Sequence, residues 1–182
     1  VAVELGRRLG REPGARGAPA AEAPAVDAVV LGCHGGAGAT TLAALLGTPW
    51  DLGGYESGTR RIETFGRPLV LVARDSAPAS ARAVEAVTGV AESGAAIACL
   101  VVVADGSGPE PREAAARLRL IEDRVGEIVR LPFAAGIRYA DAADVARVDL
   151  PKKVERALSR IRSACTTSGF PVMGTQERGV EV

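Results

Sequence analysis

Val29-Val30-Leu31-Gly32-Cys33-His34-Gly35-Gly36-Ala37-Gly38-Ala39-Thr40-Thr41-Leu42 is the stretch that decides the fold. An apolar run gives way to a cluster of glycines and then to residues that favour a helix. This is how a buried strand, a glycine-rich turn and a helix start are written, and it is the layout that cradles phosphate. In such a turn the backbone N–H groups, together with those of the helix N-terminus, point at the anion. Gly35, Gly36 and Gly38 permit the positive φ and the close backbone approach that this needs. Thr40 stands where a hydroxyl would bind Mg²⁺. The strict pattern G-x-x-x-x-G-K-[ST] nevertheless fails twice. Cys33 occupies the position of the first glycine, and Ala39 that of the phosphate lysine. The scaffold of a nucleotide site is present and its main cation is absent.

Working outward, four short apolar runs alternate with helical patterns. Residues 28–31, 69–73, 99–104 and 128–131 read as strands. Each lacks polar alternation, as strands covered on both faces do. Helices are expected near 39–46, 78–92, 110–125 and 151–165. Ser76, Pro109 and Pro151 lie near their starts, where caps and first-turn prolines belong. The alternation predicts an α/β fold, three layers α/β/α around a mostly parallel sheet of about four to six strands. Residues 47–68 read as turn-rich and hold Trp50, the only tryptophan. Asp51 fits a turn former there, or a remnant of a strand with an acidic end.

The chain of 182 residues is long enough for one domain with a sizeable core, placed at 26–166. Residues 1–25 and 167–182 read as flexible tails. The first carries Arg7, Arg8, Arg11 and Arg16, read as a solvated basic group. Formal net charge is zero, so no strong field for nucleic acid or membrane is implied. No run has the length of a membrane span or of a signal peptide's apolar core, and the cytoplasm is the expected compartment. Cys33, Cys99 and Cys165 give neither a metal pattern nor a disulfide framework. Cys99 reads as a buried small hydrophobe. Cys33 has a reading as an exposed thiolate at a helix N-terminus, weakened by the lack of a paired base.

A second motif overlaps the first. Gly32, Gly35 and Gly38 fit a G-x-x-G-x-x-G turn of the kind some NAD(P)-binding Rossmann enzymes use, with Asp51 near the place of the ribose-binding acid. Thr40-Thr41 favours the phosphate-loop reading, and no Tyr-x-x-x-Lys pair follows, since the only lysines are Lys152 and Lys153. A third reading keeps the turn for packing alone.

The run from His34 to Thr41 resembles the deviant Walker A loop of ParA/MinD-type ATPases, Lys-Gly-Gly-x-Gly-Lys-Thr-Thr. By position, His34 replaces the signature lysine that reaches across a dimer, and Ala39 replaces the phosphate lysine. Gly35, Gly36, Gly38, Thr40 and Thr41 match. The resemblance implies ATP or ADP with Mg²⁺ as ligand. Its second half is weaker. Leu69-Val70-Leu71-Val72-Ala73-Arg74 is similar to the strand after Walker B. Val101-Val102-Val103-Ala104-Asp105 is similar to the strand whose end contacts the base, with Asp105 where the family usually has Asn. Arg130-Leu131-Pro132-Phe133 resembles the last strand. No Walker B carboxylate is evident between residues 47 and 69, so the chain looks like a shortened member without its metal half. The same motifs resemble an uncharacterised actinobacterial family found beside conjugation or mobile-element genes.

The residues expected to bind nucleotide or phosphate are therefore His34, Gly35, Gly36, Ala37, Gly38, Ala39, Thr40, Thr41, Arg74 and Asp105, with Thr40 for Mg²⁺. Arg74 is the internal candidate to replace the lost lysine, because guanidinium suits phosphate geometry; a surface ion pair is its plainer role. Arg60 and Arg61 are further cations of open role. Catalysis is not expected, because phosphoryl transfer depends on positioned cations. The expected output is weak nucleotide binding or a protein-interaction role, with a protein partner or a homodimer.

Overall fold

Apolar composition writes the centre of the sheet. β1 (Val29–Gly32), β3 (Leu69–Arg74) and β4 (Ile97–Val103) are buried along almost their whole length in the computed structural model, which describes residues 24–58, 61–141 and 143–167. Two shorter strands, β2 (Asp51–Gly54) and β5 (Ile128–Leu131), flank them. The five form one sheet in the order β2-β1-β3-β4-β5, and every pairing is parallel. The expected α/β class and parallel sheet are what the structure shows.

Successive side chains of a strand leave opposite faces of the sheet. Val30, Val70, Val72, Cys99, Val101 and Val129 join a core with α1 (Ala39–Leu46) and α5 (Lys152–Thr167). Val29, Leu31, Leu69, Leu71, Leu100 and Val102 join a second core with α2 (Ala77–Glu92) and α3 (Arg112–Arg119). Burying each such side chain contributes roughly 1.5–3 kcal/mol. With a helical layer on each face, the molecule has the three layers that strand–helix alternation predicts.

Two helix ends show how the local sequence sets the boundaries. α1 closes with Gly47 at φ 69°; Thr48 N–H donates to Ala43 O at 3.0 Å and Gly47 N–H to Ala44 O at 3.2 Å. These are the two bonds of a Schellman closure. The Arg162 guanidinium then donates to Leu45 O at 3.0 Å, placing a cation at that helix's negative end. α2 opens at Ser76, whose Oγ accepts from Ala79 N at 3.4 Å. Ser76 is the cap expected from sequence.

Two expectations need correction. Residues 47–68 hold a strand, β2, and not only turns. β2 carries little apolar surface and is largely exposed, so its pattern gives no strand signal; it exists through its ladder with β1. Among the described residues of this stretch, β2 is the one strand. The helix expected at 110–125 is shorter: α3 ends at Arg119, and the chain turns through a 3₁₀ segment, Glu122–Arg124. Ile121 and Val125 are still buried, which kept the apolar period running past the real end. The tail readings at 1–23 and 168–182, with their arginines, lie outside the described residues, as does Arg60.

The chain leaves β1 outward to β2, returns past β1 to β3, then steps outward to β5. In open α/β sheets a ligand crevice forms where the strand order reverses, outside the carboxyl ends of the strands. Here those ends belong to β1 and β3.

Candidate phosphate-binding site

The glycine-rich loop leaves β1 at the reversal point and feeds α1. Gly36 has φ 74° and Gly38, the N-cap residue, φ 98°. An added Cβ on either would meet nothing within 4 Å, so it is the backbone angle and not a close neighbour that calls for glycine. Among the described residues, no hydrogen bond uses the N–H groups of Gly35, Gly36, Gly38, Ala39, Thr40 or Thr41. α1 contains no charged residue, so nothing on it offsets the positive end of its dipole. Unpaired amides at a helix N-terminus are what an anion requires of a backbone site.

The loop opens onto a crevice of about 560 Å³. Gly36, Gly38 and Thr41 line one end of it. Arg74 and Asp105 lie at the ends of β3 and β4, and Leu45, Phe133, Ile137 and Arg138 line the rest. That volume suits a small organic ligand.

Each side chain of the loop has a defined place. Ala37 and Ala39 turn into the α1-face core at 2% and 8% exposure. Ala39 therefore gives packing and no charge. The Thr40 hydroxyl donates to Asp51 Oδ2 at 2.7 Å, and Asp51 Oδ1 accepts from Gly53 N at 2.9 Å. Asp51 is thus both a turn former and the carboxylate that accepts from the Thr40 hydroxyl. His34 is half-buried, with its ring engaged inside its own chain. Nε2 accepts the Arg74 N–H at 3.3 Å, and Nδ1 lies 2.9 Å from Gly35 O. A neutral ring protonated at Nδ1 satisfies both contacts.

Arg74 and Asp105 are brought together. The guanidinium donates from Nε to Gly36 O at 3.2 Å and from Nη1 to Asp105 Oδ1 at 3.0 Å. The Asp105 N–H in turn donates to Asp75 Oδ1 at 3.0 Å. Arg74 thus ties the loop to the ends of β3 and β4, and its charge is already matched. Arg61 pairs instead with Glu63, an exposed contact.

Cys33 is not the exposed thiolate that its position at a helix start offered. It is 3% exposed and packs in the α2-face core. Burial pushes its thiol up to about 12, against a smaller opposite pull from the backbone hydrogen bond with Val72. Such a thiol is protonated and inert. Cys99 is fully buried, as expected. Gly32 is explained without a ligand: a Cβ there would lie 3.2 Å from both Gly53 O and His34 O. Its glycine serves the contact of β1 with β2.

Phe133 follows the strand that the sequence reads at 128–131, whereas Ile137 and Arg138 escape a sequence reading, because nothing in the pattern brings that segment to the crevice. Fold and site together define an open doubly wound α/β protein with a glycine-rich loop at its reversal point. Comparison with protein-family models, with curated proteins and with solved structures gives no significant match. Among the described residues, no helix is long and apolar enough to cross a membrane.

Proposed function

We propose that this chain is a degenerate P-loop domain of ParA/MinD type that holds a nucleotide weakly and does not hydrolyse it. The observation that carries this reading is the loop itself. Apart from Ala37, whose N–H donates to His34 O at 3.3 Å, its amides from Gly35 to Thr41 are unpaired among the described residues, two of its glycines sit at positive φ, and it opens onto a crevice of nucleotide size. The Thr40–Asp51 pair adds support, since a hydroxyl and a carboxylate are oxygens of the kind Mg²⁺ takes beside phosphate and water. Mg²⁺, when bound with a nucleotide, would screen phosphate charge there. The chain's own residues bind and orient.

Hydrolysis is a different demand. It needs fixed cations where charge develops in the transition state. Ala39 offers none, the His34 ring is engaged with Arg74 and Gly35, and the Arg74 charge is matched by Asp105. Function then runs through protein contacts, with a partner or a second copy, in a cytoplasmic assembly of conjugation or partition type. Binding of ADP and release of phosphate from ATP test this together. The reading expects measurable ADP binding that Gly38→Ala abolishes, and no phosphate release above blank. ATP turnover that disappears in Thr40→Ala would overturn it.

A further inference from the structure

Resting on that reading, we propose that Arg138, which lines the same crevice as the loop, supplies the positive charge that Ala39 does not. The crevice then takes a nucleoside di- or triphosphate with its phosphates between the loop amides and this one guanidinium.

Two cations line the crevice, Arg74 and Arg138. Arg74 is occupied. Moving its guanidinium to a phosphate would break the contacts with Gly36 O and Asp105. It would also leave the Asp105 carboxylate facing the incoming anion, a like-charge repulsion. Arg138 is differently placed. It is exposed, and among the described residues it makes no ion pair or side-chain hydrogen bond. Its backbone is held, however. It ends the single helical turn α4 (Ala135–Arg138), where Ile137 N donates to Ala134 O at 3.2 Å and Ala140 N to Ile137 O at 3.3 Å. Ala134, Ile137 and Ala140 pack partly buried against the α1-face core. The stem of Arg138 thus starts from a fixed point and its head is uncommitted.

The charge balance of the crevice agrees. Arg74 and Asp105 cancel, so the remaining formal charge on the lining is that of Arg138. The loop contributes partial positive charge through its amides. Leu45, Phe133 and Ile137 give the rest of the crevice an apolar wall, suited to the flat body of a nucleoside. A guanidinium offers phosphate a planar pair of donors, which suits Arg to replace a lysine lost from the loop.

The test is calorimetric titration of the full chain with ADP and with ATP, for the parent and for Arg138→Ala, Arg138→Lys and Arg112→Ala. Arg112 is an exposed cation on α3 that does not line the crevice. Arg138→Ala is expected to weaken ADP binding by about tenfold or more, the usual loss for a charged hydrogen bond. Arg138→Lys should recover part of the loss, keeping the charge without the fork. Arg112→Ala should bind as the parent does. Unchanged melting temperatures would show that the variants fold. Parent-like affinity in Arg138→Ala would overturn the assignment while leaving the phosphate site standing. A parent that binds neither nucleotide would overturn the phosphate reading, and Arg138's role with it.

Discussion

Single residues decide whether the loop can hold an anion. Gly38 at φ 98° sits where an L side chain is strained. Gly38→Ala is expected to cost about 1–2 kcal/mol in urea unfolding and to remove nucleotide binding. The thiols carry a second prediction. Burial holds Cys33 and Cys99 at about 12 and Cys165 at about 11, against an ordinary 9.0. At pH 8 none of the three should react with iodoacetamide in the folded protein, and all should react in denaturant. The sign of the pH dependence follows. Below pH 9 folded and unfolded thiols are both protonated. As pH rises from about 9 toward those folded values, the unfolded chain releases protons that the folded one keeps, and stability falls. Thermal unfolding between pH 8 and 10.5 should show that decline, and Cys33→Ala should make it shallower.

Secondary-structure elements show what was legible from the sequence and what was not. Buried parallel strands announce themselves, because every position must be apolar; this made Leu69–Arg74 and Ile97–Val103 plain to within a few residues. The start of α1 was equally plain, since a glycine turn leads straight into helix formers. β2 was hidden, because an exposed edge strand carries no such pattern and rests on backbone pairing. The loop of the site was legible as a local motif. Its partners were not: Thr40 meets Asp51, and Arg74 meets Asp105, only through the fold. Two outcomes belong to this scale. Ser76→Ala removes the cap of α2 and should lower stability by about 1 kcal/mol in urea titration. Asp51→Ala frees the Thr40 hydroxyl and the Gly53 amide, so β2 should open more readily. Faster hydrogen exchange at the Val30 amide, which donates to Trp50 O at 2.8 Å, would report it. Unchanged exchange there would show that the ladder alone holds the edge.

At the scale of the molecule, the two cores hold the reversal point open by fixing the strands around it. Leu100 lies fully buried on β4, an interior strand, in the α2-face core. Leu100→Ala should cost roughly 2–5 kcal/mol of unfolding free energy while leaving the loop intact. That would separate loss of fold from loss of site. The loop is proposed to take phosphate without a lysine. Thermal unfolding of the full chain with ATP, ADP, GTP and NAD(P), with and without Mg²⁺, tests it most directly. At a hundred times its dissociation constant, a ligand of the folded state adds about 2.7 kcal/mol. For a chain of this size that is a rise of roughly 5–10 °C in Tm. Such a rise is expected with ATP or ADP and is lost in Gly38→Ala. No rise with any nucleotide at millimolar concentration would contradict it, as would a rise with NAD(P) alone.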